Sequence, residues 1–272
     1  MPKFTAPDGT QLHYLDEGSG LPVLCLSGLT RNSSDFDYIA PHLTGVRLIR
    51  LDYRGRGGSD WADPETYTIP VEAQDALALL DHLNIDKAAI IGTSRGGIIA
   101  MLLAMTAKSR LAGVCLVDIG PVLDTAGLST IKGYIGKNPA VKSLEDLARA
   151  RARMLSGFVN VPDARWMEEA RKHYIQTADG LTVNYDPRLA EVFNRPAAEA
   201  DPWPMFDALA DLPLALIRGG NSDLLSPQTA EEMQKRRPDM IYANVPDRGH
   251  VPFLDEADAL DAVQTWIKMI ND

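Results

Sequence analysis

A chain of 272 residues, 45% hydrophobic and 24% charged, is long enough for one large α/β domain or two small ones, and its composition excludes a disordered or fibrous protein. The net charge of −10 argues against a nucleic-acid partner, because holding a phosphate backbone needs clustered Lys and Arg. The densest basic stretch, Arg149, Arg151 and Arg153, cannot form one stripe on a helix, where residues two apart point about 200° apart, and a solvated surface is expected there.

In chain order, short β-rich runs alternate with helical patterns, which predicts a mostly parallel sheet covered by helices. Residues 4–6 and 12–17 form an opening hairpin around the Asp8-Gly9 turn signal. Apolar strands are expected at 23–26, 46–51, 88–91, 114–119, 214–217 and 240–245, which makes eight in all. Helices are expected at 71–83, with Ala73, Ala76, Leu77, Leu80 and Leu83 on one face, and from Ser226-Pro227 to Arg237. The closing helix, 255–270, turns Leu260, Val263, Trp266 and Ile267 inward. The alternation breaks between 121 and 204, where helical segments at 143–154, 164–177 and 187–193 come without a convincing buried strand. The expected division is therefore a core of residues 1–120 and 206–272 and a helical cap of residues 121–205 inserted after the sixth strand.

Cys25 and Cys115 each lie in an apolar run and read as small buried hydrophobes rather than a disulfide framework. The first residues carry no apolar core of the kind a secretory signal needs. The longest nearly apolar run, 97–107, is too short to cross a bilayer. The expectation is a cytoplasmic protein with no membrane partner.

The segment with the most chemistry is Gly92-Thr93-Ser94-Arg95-Gly96, a G-x-S-x-G turn between a strand and an apolar helix at 98–105. Such a turn holds a serine in a strained conformation, and side chains in place of its glycines would collide with strand or helix. It also points backbone N–H groups at negative charge forming beside Ser94, the N–H of Arg95 among them. A serine hydroxyl needs a base within hydrogen-bond reach. Of the five histidines, His13, His42 and His82 look structural, and His173 lies in the helical insertion. His250 follows the last strand, at the carboxyl edge where parallel strands gather active residues. An aspartate must orient its imidazole, and both Asp223 and Asp118 follow strands at that edge. Asp223 is preferred for its polar, glycine-rich loop, whereas Asp118 leads at once into Gly120-Pro121, a hinge to the cap. A second oxyanion donor should come from the loop after the third strand, where Gly28 lets the backbone approach and the N–H of Leu29 is the candidate.

These motifs, with Ser27-Gly28-Leu29, Asp52-Tyr53-Arg54-Gly55-Arg56-Gly57-Gly58-Ser59, Asp118-Ile119-Gly120-Pro121, Gly219-Gly220-Asn221-Ser222-Asp223 and Gly249-His250, resemble the α/β-hydrolase superfamily. The resemblance is to its cap-bearing branch of small esterases, lactonases and C–C bond hydrolases, over nearly the full length. Where such proteins usually carry His-Gly, this chain has Ser27-Gly28. Its serine nucleophile separates it from haloalkane dehalogenases and epoxide hydrolases, which place aspartate there. The glycines at 55–58 do not form a dinucleotide-binding fingerprint, and no histidine pair has metal-ligand spacing, so neither cofactor nor metal is expected. The implied activity is acyl transfer to water through a Ser94-His250-Asp223 triad on a small ester, lactone or other carbonyl substrate. A C–C bond hydrolase, a cofactor-free perhydrolase, an acyltransferase and a non-catalytic binding protein on the same scaffold stand as alternatives. Tyr134, Phe158, Trp166, Trp203 and Met205 are candidate pocket-lining residues, with ordinary core packing an equal alternative for most of them.

Overall fold

A computed structural model describes residues 2–195 and 201–272. Residues 196–200 of the expected cap lie outside the described residues. The sheet has eight strands, β1 (Lys3–Thr5), β2 (Gln11–Gly18), β3 (Leu21–Leu26), β4 (Val46–Leu51), β5 (Ala88–Thr93), β6 (Leu111–Val117), and, after the insertion, β9 (Leu214–Gly219) and β10 (Ile241–Val245). Their order is β1-β2-β4-β3-β5-β6-β9-β10. Only β2 runs against its neighbours β1 and β4; every other pairing is parallel. All eight expected strands are present.

Two-sided burial explains the apolar strands. Side chains alternate across the sheet, so Leu24, Leu26 and Ile90 pack under α1 (Ile69–His82), α2 (Arg95–Thr106) and α8 (Pro227–Arg236). Val23, Cys25, Ile91, Cys115 and Ile217 face the other way, against Phe36, Ile39 and α9 (Ala257–Asn271), which contributes Val263 and Trp266. Cys25 and Cys115 both pair in register with Ile91. Both are free and fully buried, and burial pushes both thiols far above the usual thiol range.

Between β6 and β9 lie α3 (Thr125–Tyr134), α4 (Leu144–Met154), α5 (Asp163–His173), α6 (Leu189–Phe193) and α7 (Trp203–Asp207). The segment also holds two short strands, β7 (Tyr174–Gln176) and β8 (Leu181–Val183), paired antiparallel. This corrects the expected helix at 164–177, which stops at His173. The overlooked signal is Asp179-Gly180, a hairpin turn closed by the Thr177 N–H donating to the Gly180 carbonyl at 2.8 Å. In α7, Trp203 and Met205 pack with Phe206 on the main core, the core alternative of the two expected for them. Other parts of the insertion, around Val159 and from Asn184 to Asp186, rest on the loops at the strands' carboxyl ends. Gly57 donates to the Asn184 carbonyl at 3.2 Å, Asp186 to Gly55 at 2.7 Å, and Val159 to Asp247 at 3.0 Å.

Of the arginine trio, Arg149 and Arg153 are solvated as expected, whereas Arg151 is half-buried and its Nε has no partner among the described residues.

Candidate active site

The turn after β5 places Ser94 in the left-handed region, at φ 52°. The glycines around it are required by contact distances. A Cβ on Gly92 would lie 2.6 Å from the Gly96 carbonyl oxygen, and one on Gly96 would lie 2.0 Å from that of Leu26. No side chain fits at either place, so strand and helix meet closely enough to lift Ser94 clear of the sheet. The Ser94 N–H donates to the Val117 carbonyl at 2.9 Å and pins the turn to β6.

His250 follows β10 and brings Nε2 to 2.9 Å from Ser94 Oγ. Its Nδ1 lies 2.7 Å from Asp118 Oδ2. A carboxylate only accepts, so Nδ1–H donates to Asp118, leaving Nε2 to accept the serine hydroxyl. Ser94 and His250 thus meet as the sequence anticipated.

The acid does not. Asp118 is fully buried, directly follows β6 with φ 52°, and is held by its own N–H donating to the Ile217 carbonyl at 2.7 Å. Asp223, the preferred candidate, points away and accepts from Thr130 Oγ1 at 3.1 Å on the exposed side of α3. The polar loop after β9 does bend toward the site, but it brings donors instead of a carboxylate. Ser222 Oγ donates to Asp118 Oδ2 at 2.6 Å, and the Gly219 N–H to Oδ1 at 2.8 Å. The available signal was Asp118 itself, a carboxylate at the end of an otherwise wholly apolar strand, which burial permits only with partners.

The loop after β3 lies against the turn. A Cβ on Gly28 would sit 3.8 Å from Ser94 Cβ and 3.2 Å from Arg31 Cγ. The Gly28 carbonyl accepts from the Arg31 N–H at 3.1 Å, and the Ser94 carbonyl from those of Gly97 and Ile98 at 2.9 and 3.3 Å. Carbonyl and N–H point oppositely across a planar trans peptide, so the N–H groups of Leu29 and Arg95 face away from those bonds. Among the described residues neither has a backbone partner.

Sequence reasoning missed a buried ionic cluster beside this loop. Arg31 Nη1 donates to Glu169 Oε2 at 3.1 Å and to His173 Nδ1 at 2.8 Å, while His173 Nε2–H donates to Asp35 at 2.6 Å. Burial opposes the Glu169 charge, but Arg31 above all, with His173 and Arg151, holds its pKa at about 2. Burial, then Arg31, lowers that of His173. A small cavity between the cluster and Thr93, Val251 and Phe253 adjoins the site. Phe158 and Trp166 pack on Phe253 with ring centroids 5.5 and 6.4 Å away, whereas Tyr134 is largely exposed. His13, expected to be surface or half-buried, is buried against Asp52 at 2.7 Å.

Among the described residues, no group of three or more His, Cys, Asp or Glu side chains is arranged to hold a metal, and no helix is long and apolar enough to cross a membrane.

A sequence model described as the alpha/beta hydrolase family matches residues 23–263. The 3-hydroxybutyrate-oligomer hydrolase of Cupriavidus necator is 35% identical over 255 residues, covering 89% of this chain and 87% of that one. The crystal structure of an alpha/beta hydrolase from Novosphingobium aromaticivorans superposes with a TM-score of 0.91 at 38% identity, over 98% of this chain and 97% of the other. That of a putative hydrolase from Rickettsia typhi gives 0.85 at 27% identity, over 96% and 92%.

Proposed function

The chain belongs to the alpha/beta hydrolase family and is a hydrolase, and from that premise we propose that it cleaves carboxylic esters by two-step acyl transfer on Ser94. The observation that carries this reading is the relay Ser94 Oγ–His250 Nε2 at 2.9 Å and His250 Nδ1–Asp118 at 2.7 Å. His250 takes the hydroxyl proton as Ser94 Oγ attacks the substrate carbonyl carbon, and Asp118 stabilises the imidazolium. The N–H groups of Leu29 and Arg95 receive the oxyanion. His250 then hands the proton to the departing alcohol, and a water deprotonated by the same ring releases the acid. Asp118 takes the place that the sequence assigned to Asp223. The segment from α4 to the β7–β8 hairpin acts as a cap over the site, with Phe158 and Trp166 beside Phe253 on its acyl side.

For the substrate, the relative from Cupriavidus necator is named for hydrolysing 3-hydroxybutyrate oligomers, which are esters of a hydroxy acid. Short hydroxy-acid esters are therefore the first class to test, beside p-nitrophenyl esters and lactones. Incubation with a fluorophosphonate followed by peptide mass spectrometry should find the adduct on Ser94, and Ser94→Ala should lose on the order of 10⁶ in kcat. An unmodified wild-type chain, or an adduct elsewhere, overturns the reading.

A further inference from the structure

Glu72 lies in the first turn of α1, outside every motif of the sequence, and its side chain is fully buried. Each of its oxygens meets a different arginine: Oε1 accepts from Arg56 Nη1 at 2.7 Å, and Oε2 from Arg95 Nε at 2.5 Å. The two arginines lead to the two halves of the oxyanion site. Arg56 Nε donates to the Leu29 carbonyl at 2.9 Å, and its Nη1 also to that of Arg54 at 2.7 Å. Arg95 carries the other oxyanion N–H on its own backbone, and its Nη2 donates to the Tyr67 carbonyl at 2.9 Å. The Arg56 guanidinium is sandwiched between the Tyr53 and Tyr67 rings, 5.6 and 5.4 Å from their centroids. Tyr53 in turn donates to the Ser27 carbonyl at 3.3 Å.

We propose that Glu72 is a positioning residue for the oxyanion site, which sets the separation of the Leu29 and Arg95 N–H groups by clamping Arg56 and Arg95 to one carboxylate. The proposal rests on the acyl-transfer reading above. Stability alone gives no reason for such a triad, because a buried Arg–Glu–Arg group is often matched or bettered by apolar residues of the same volume. Here the arrangement is also incomplete, since Arg56 Nη2 is buried with no hydrogen-bond partner among the described residues. What it supplies is a fixed distance. Through Arg56 the carboxylate reaches the loop after β3, and through Arg95 the start of α2, the two elements that carry the N–H groups. Without the negative charge the two guanidinium groups repel, and the free partner of that repulsion is the Arg56–Leu29 bond. Donor geometry matters more for the tetrahedral oxyanion than for the planar ground state, so the loss should fall on kcat.

The test compares wild type, Glu72→Gln and Arg56→Lys, the last leaving the Glu72–Arg95 pair intact while removing the bond to Leu29. For each, kcat and KM are measured on a p-nitrophenyl ester, with Ki for a trifluoromethyl ketone, which forms a tetrahedral adduct on the serine. Expected is a fall in kcat of about 10- to 100-fold, part of the effect of deleting one oxyanion donor, with KM nearly unchanged and Ki weakened in proportion to kcat/KM. A change confined to melting temperature, or a rise in KM with unaltered kcat, overturns the proposal. If Glu72→Gln does not fold, the same pattern is required of Arg56→Lys alone, and its absence is decisive. Fluorophosphonate labelling of wild-type Ser94 keeps the two levels apart. Labelling with an unmoved kcat in the variants sinks the clamp only, and no labelling sinks the acyl-transfer reading and the clamp with it.

Discussion

At the level of single residues, the relay depends on how Asp118 is kept from any use other than holding His250. Its carboxylate accepts from Ser222, the Gly219 N–H and the imidazole, which occupies both oxygens and leaves it dry. Asp118→Asn presents an amide N–H₂ to one of these donors and favours the wrong imidazole tautomer. The expected loss is roughly 10⁴ in kcat, as for the same change in another serine triad, with the fold retained. Asp223→Asn should leave kcat near wild type, because among the described residues that carboxylate accepts a hydrogen bond only from Thr130 at the surface. Kinetics of the two variants, each checked by circular dichroism, decide between them. Ser94 and His250 were legible because each is fixed by local signals, a glycine-bounded turn and a strand-end loop. The acid was not, because candidates on neighbouring strand ends differ only in where each loop turns after leaving the sheet. That choice is made by tertiary hydrogen bonds, and the glycines at 219 and 220 served to bring Ser222 inward rather than Asp223.

Among elements, α5 is bound to the loop after β3 by a largely buried set of charges. Glu169 and His173 face Arg31 and Asp35, with Arg151, Tyr38 and Tyr134 close by. The sign of the pH dependence follows from the depressed pKa of Glu169. Its stabilisation is present above the free carboxylate value of about 4.3 and is lost as pH falls toward about 2. His173, also depressed, takes up a proton more readily when unfolded, which adds a loss below about pH 6.5. Thermal melts from pH 7 to pH 3 should thus fall steeply for the wild type. Glu169→Gln should melt lower at pH 7 and show a shallower acid slope; parallel slopes would remove Glu169 from this role. The helices of this segment were readable where their apolar spacing was regular, as in α4. The β7–β8 hairpin was masked by the helical pattern running into it, and α7 by its position at the end of the insertion, although it packs on the main core.

For the whole molecule, the eight strands were legible in nearly full outline, the central ones because burial on both faces writes an unbroken apolar run into the sequence and the first two because a turn signal joins them. The two cores divided by the sheet differ in what closes them, and the one under α9 is closed by Trp266. Its ring is fully buried, and its Nε1–H donates to the Pro213 carbonyl at 3.0 Å. Trp266→Phe removes that bond and leaves a void, so it should destabilise by about 1–3 kcal/mol in urea titration, while kcat stays at the wild-type value. The same core contains Cys25 and Cys115, set in one row across β3, β5 and β6 and sealed from solvent. Their consequence is a built-in clock for opening of the central sheet. Thiols so protonated and covered react with an alkylating agent only when the strands part. Native protein in excess iodoacetamide should therefore modify both sites together, at the rate of global unfolding once alkylation outpaces reclosure. Trp266→Phe should make the clock run faster, while Ser94→Ala should leave its rate unaltered. Alkylation of one cysteine well ahead of the other would mean that this sheet opens in parts.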